Sequence, residues 1–97
     1  MFRHTVLLKL DDTATDEQKA AICEALEGLP ALIPEIESYT IGTNAGDRPD
    51  NFDIAVIGDF ADKAAYQAYA DHPDHVGVIQ QHIAPLLAGR AAVQFEV

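Results

Sequence analysis

The chain has 97 residues, 48% hydrophobic and 23% charged, which fits one ordinary globular core and leaves no room for a second. Sixteen Asp and Glu against six Lys and Arg give a net charge of -10 at pH 7, which repels nucleic acid and anionic lipid and sets both aside as partners. A single cysteine, Cys23, excludes an internal disulfide framework and suits a reducing cytoplasm, and no apolar run approaches the ~20 residues that span a membrane.

Phe2 to Leu10 alternates, with Phe2, His4, Val6, Leu8 and Leu10 on one face and Arg3, Thr5, Leu7 and Lys9 on the other. This period predicts a strand and not a leader peptide. Thr15 and Gln18 form a capping box that starts a helix. Ile22, Ala25, Leu26 and Leu29 recur at helical spacing, and Pro30 and Pro34 mark its end and exit loop. A second strand is expected from Ile36 to Gly42, then a polar loop over "TNAGDRPDN", then a third strand from Phe52 to Phe60. Phe52, Ile54, Val56 and Phe60 share one side of that strand, and Ala55 and Ile57 the other. Asp62 caps a short helix through Tyr66 and Tyr69. Pro73 suits the first turn of a further helix carrying Val76, Ile79, Ile83 and Leu87, with Gly89 as its stop. Ala91, Val93, Phe95 and Val97 alternate with Ala92, Gln94 and Glu96 in a closing strand.

The order strand, helix, strand, strand, helix, strand is the βαββαβ pattern of a ferredoxin-like fold. It predicts a single α+β domain over residues 1–97, a four-stranded antiparallel sheet with helices on one face. Leu7, Ala55 and Ile57 then leave the other face apolar, and the simplest cover is the same face of a second copy, giving a homodimer with its sheets packed together.

Two of the four histidines fall in "HPDH", and Tyr69, His72 and His75 recur every three residues. Pro73 pushes His72 to an extended backbone, where it serves as a structural N-cap. His75 lies in the first helical turn, where the macrodipole disfavours a charged imidazole and leaves it able to accept a proton. His4 faces the helices; burial keeps it neutral, either as a satisfied core residue or as a general base. His82 lies on the stripe of His75, Ile79 and Leu86, at a cavity rim or on the surface. No metal site is expected, because Pro73 disturbs the pairing of His72 with His75 and Asp71 and Asp74 serve the helix start. Cys23, beside Ile22 and Leu26, reads as a packing residue. No phosphate loop, dinucleotide turn or nucleophile elbow is present, so no cofactor is expected.

"RHTVLLKL", "LPALIPEIESYTIGTN", "FDIAVIGDFADKAAYQAYADHPDHVGV" and "AVQFEV", in this order, resemble the stress-responsive A/B barrel (Dabb) family. The resemblance implies a dimeric α+β barrel. Many members have no assigned activity, some plant members are stress-induced, and a few are polyketide cyclases that perform an intramolecular aldol condensation without a cofactor. In those cyclases the positions matching His4, Tyr69 and His75 carry or support the chemistry. Ile54 stands where the cyclases can have a further histidine, and Leu26 where they have a pocket tyrosine.

Two functions follow as expectations. One is a homodimeric, cytoplasmic Dabb-type protein of unassigned activity, stress-associated or binding a small organic ligand. The other is a cofactor-independent enzyme in which His75 abstracts a proton next to a carbonyl while His4 or Tyr69 holds the enolate oxygen.

Overall fold

Strand β1 (Phe2–Leu10) lies inside the sheet because both of its edges are paired, with β3 (Ile54–Phe60) on one side and β4 (Leu87–Glu96) on the other, each antiparallel. Strand β2 (Ser38–Thr43) pairs antiparallel with β3, so the order is β2-β3-β1-β4. This computed structural model describes residues 1–97. Helix α1 (Asp16–Glu27) joins β1 to β2, while α2 (Lys63–Asp71) and α3 (Pro73–Val78) join β3 to β4. The arrangement is the expected four-stranded ferredoxin-like fold. No helix is long and apolar enough to cross a membrane.

The expected capping box starts α1: Thr15 Oγ1 accepts from the Gln18 backbone N–H at 3.1 Å, and the Gln18 side chain accepts from the Thr15 N–H at 2.9 Å. Val6, Leu8 and Leu10 of β1 and Ile54, Val56 and Phe60 of β3 pack against Ile22 and Leu26 of α1, Tyr69 of α2, and Leu29, Ile33 and Ile83 from the connections. Burial of one face of a period-two pattern against the stripe of a helical one is what the alternation predicts.

Boundaries differ from the sequence reading where side chains intervene. β3 begins at Ile54, two residues after the expected Phe52. The Asp53 N–H donates to the Leu8 carbonyl, and its carboxylate accepts from the Leu10 N–H at 2.8 Å, so Asp53 caps the strand end. Leu29 falls in a 3-10 turn (Leu29–Ala31) beyond α1 but is still buried. The last helix does not run to Gly89. It widens into a π turn (Ile79–Ile83), tightens to a 3-10 turn (Ala84–Leu86) and becomes strand at Leu87. Pro85 ends it, since a proline has no N–H with which to continue the ladder. Gly89 sits within β4 opposite Lys9.

The register places Leu7 between Ala55 and Ala91, and Thr5 between Ile57 and Val93, all on the face away from the helices. Leu7, Val93 and Phe95 are 38%, 58% and 46% exposed, so this face has no cover within the chain. At its edge Arg3 grips Asp59 through two hydrogen bonds of 2.7 and 2.9 Å, and the Ser38 hydroxyl donates to the same carboxylate. The guanidinium holds the Asp59 carboxyl below the usual carboxylate range.

Phe60 is fully buried with its ring centre 4.9 Å from that of Tyr69. Phe60→Ala is expected to cost about 3–5 kcal/mol in urea unfolding, whereas Leu32→Ala, at a residue 55% exposed, is expected to stay within about 0.5 kcal/mol.

Candidate functional site

Pro73 determines the local path of the chain around the two histidines of "HPDH". The residue before a proline avoids the helical region, and His72 accordingly takes φ -63° and ψ 133°, ending α2 and capping α3. Its Nδ1 accepts from the Asp74 N–H at 3.1 Å, the structural role expected of it. Because that N–H is turned to His72, the Ala70 carbonyl at the end of α2 lacks its helical donor. His75 Nδ1 takes its place at 3.0 Å. A carbonyl only accepts, so Nδ1 carries the proton and Nε2 of the neutral ring holds a lone pair.

His4 has the opposite tautomer. It is buried on the helix-facing side of β1, and the register sets Gln94 of β4 directly beside it. The Gln94 amide nitrogen lies 3.0 Å from His4 Nδ1 and 3.1 Å from the Tyr66 hydroxyl. An amide –NH₂ only donates, so His4 Nδ1 accepts and Nε2 bears the hydrogen. Neither Nε2 has a partner in the protein, yet no fully buried polar side-chain atom lacks one; both therefore open onto accessible space.

Both imidazoles line a cavity of about 100 Å³ between sheet and helices, together with Tyr66, Tyr69 and Arg90 and aliphatic side chains including Val6, Leu26 and Ile83. Burial is the main cause that keeps both imidazoles neutral. His4 is lowered to about 4, with the Arg90 charge as the second cause. His75 is lowered by burial against the opposing pull of its bond to Ala70.

Tyr69 does not hydrogen-bond either histidine. Its hydroxyl is 2.6 Å from that of Tyr39, while its ring packs on His75 with centroids 4.2 Å apart and stands 6.4 Å from His4. Burial raises both phenols, Tyr39 to about 12, so both stay protonated. His4, Tyr69 and His75 are thus brought to one cavity, with Tyr69 as a wall. His82 is not there; it lies in an outer groove between α1 and α3 with Ala21 and Gly77. Cys23 packs half-buried against the core, and burial raises its thiol. Leu26 lines the cavity, whereas Ile54 is buried in the core. No three His, Cys, Asp or Glu side chains gather in a geometry that holds a metal ion.

Sequence reasoning missed Tyr39, Tyr66, Gln94 and Arg90. Tyr66 carried a signal, three residues before Tyr69 on one helix, and its ring centre is 4.9 Å from that of His4. The others enter through strand pairing. Chemically, the cavity offers one neutral N–H donor and one neutral lone pair, which suits a molecule with a carbonyl acceptor and a removable proton.

A family model described as Stress Responsive A/B Barrel Domain matches residues 2–97. No curated protein matches the chain. A dimeric ferredoxin-like protein of unknown function from Thermobifida fusca is 42% identical, with 99% of this chain and 90% of that one covered and a TM-score of 0.89. A dimeric protein of unknown function from Bacteroides fragilis is 32% identical, with 99% and 95% covered and a TM-score of 0.85. A hydroxynitrile lyase from Passiflora edulis shares the fold at 20% identity, with 99% and 92% covered and a TM-score of 0.85.

The lowered imidazoles give a definite pH dependence. The unfolded chain takes up protons below about 6.5 while folded His4 resists until about 4. Stability is therefore full above the upper value and falls as pH drops through the window. The carboxyls of Asp11 and Asp59, held below the ordinary aspartate value of 3.8, act below that pH and so outside this window. Melting temperatures across this range should fall steeply for the wild type and less steeply for His4→Gln; parallel curves would contradict the buried neutral state.

Proposed function

The chain belongs to the stress responsive A/B barrel domain family, and from that premise we propose a homodimer, closed through its open sheet faces into an α+β barrel, that binds a small organic molecule in the cavity between sheet and helices. The observation that carries the binding reading is the pair of partnerless Nε2 atoms of opposite character on one cavity, His4 donating and His75 accepting. A polar network built only to order the core satisfies its own groups; this one leaves two unsatisfied toward an open space.

The dimer reading draws on the uncovered Leu7, Val93 and Phe95 and on the dimeric relative from Thermobifida fusca. Large apolar side chains from neighbouring strands on one sheet face form the kind of patch that association removes from water. A free thiol and no disulfide suit a cytoplasmic setting.

The same tautomers favour a second reading, acid/base catalysis without a cofactor. His75 Nε2 removes a proton from the carbon next to a carbonyl, and His4 Nε2–H donates to the enolate oxygen as charge develops on it. Tyr69 acts as a positioning residue, its ring fixing the His75 imidazole while its hydroxyl is held by Tyr39. The cavity, about 100 Å³, is smaller than the roughly 150 Å³ that accommodates benzene. Its size favours a short-chain molecule over a cyclising polyketide.

Light scattering should give twice the 10.5 kDa chain mass for the wild type and the single mass for Val93→Arg; a monomeric wild type would remove the dimer. Butanone or 2-oxobutanoate should shift the imidazole proton resonances of His4 and His75, and a spectrum that neither compound shifts would remove the binding reading. In deuterium oxide the protein should accelerate exchange of the butanone α-protons, with His75→Ala lowering the rate roughly 100-fold. Exchange unaffected by that substitution would leave binding without catalysis.

A further inference from the structure

Arg90 is the one cation among the side chains that line the cavity; the rest are aliphatic, aromatic or neutral imidazole. It pairs with Leu8 in the β1–β4 register, which turns it to the helix-facing side of the sheet, yet it is exposed, so it stands at the cavity mouth. It forms no ion pair in a chain with sixteen carboxylates. Arg3 takes Asp59 on the opposite face, and Glu96, on the same side of β4 as Arg90, sits 3.9 Å from the N-terminal amine. A guanidinium presents a planar fork of donors matched to a carboxylate, and here that fork is unused.

Resting on the small-molecule reading above, we propose that Arg90 is the specificity residue of this cavity and that the molecule it selects is a short-chain oxo-carboxylate. The carboxylate sits on the guanidinium at the mouth, and the carbonyl and short apolar tail enter between the histidines and the aliphatic wall. The net charge of -10 disfavours polyanions at long range, while the local cation favours a single carboxylate within a screening length of about 8–10 Å. A second consequence concerns His75. The Arg90 charge acts on both histidines and opposes their protonation. A bound carboxylate neutralises that charge, so the proton affinity of His75 rises when the ligand is in place.

The test is a titration of wild type and Arg90→Gln with 2-oxobutanoate, its amide and butanone, followed by the imidazole resonances of His4 and His75. The wild type should bind the acid at least about tenfold more tightly than the amide, with the advantage shrinking as salt is raised. Arg90→Gln should bind the acid no better than the amide. The His75 titration midpoint should move up with the bound acid and stay in place with the amide. Equal affinity of acid and amide in the wild type, or a preference that survives Arg90→Gln, would overturn the proposal while leaving the small-molecule reading intact. If none of the three compounds moves either histidine, both fall together.

Discussion

The pairing of His4 with Gly58 on one side and Gln94 on the other, fixed by the antiparallel registers of β1, is the constraint on which the cavity depends. Gln94 settles which nitrogen of His4 bears the proton. Gly58 clears the floor beside it, because a Cβ there would meet the Phe60 and Tyr39 rings at 3.1 and 3.2 Å. The Tyr39–Tyr69 hydrogen bond and the packing of Tyr69 on Phe60 occupy the region that this missing side chain leaves open. A shift of one residue in either strand pair would turn the opposite face of the partner toward the helices and remove these contacts.

The cavity and the surface obey different electrostatics. The surface is strongly acidic, yet no carboxylate lines the cavity, and its single cation is at the mouth. Both histidines are consequently held neutral by burial, with a neighbouring positive charge adding to the effect. Neutral imidazoles in a low-dielectric space make stronger hydrogen bonds than they do in water, and neither must lose a proton before acting. The same burial makes the unused Nε2 atoms costly to the free protein unless water or a ligand reaches them.

The sequence made the fold legible because its signals are local and agree with one another. The alternation of Phe2–Leu10, the Thr15–Gln18 box and the Pro73 break each specify an element, and their order specifies the topology. His4, Tyr69 and His75 could be picked out because a rare residue type recurs at positions with a clear facing. Gln94 and Arg90 could not, since both sit on an edge strand whose polar residues look like ordinary solvent-facing ones until the register sets them against β1. Tyr39 was hidden in the same way by the β2–β3 pairing. The last helix ends before Gly89 because Pro85 interrupts its ladder, and the widening at Ile79–Ile83 has no periodic signature in the sequence.

All functional readings converge on the difference between the two imidazoles, which arises from the Pro73 break at one and from strand register at the other. The most direct measurement is the ¹⁵N chemical shifts of the ring nitrogens of His4 and His75 at neutral pH. Two neutral rings of opposite tautomer are expected, with the proton on Nε2 of His4 and on Nδ1 of His75. The same tautomer at both residues, or a protonated ring at either, would contradict that assignment.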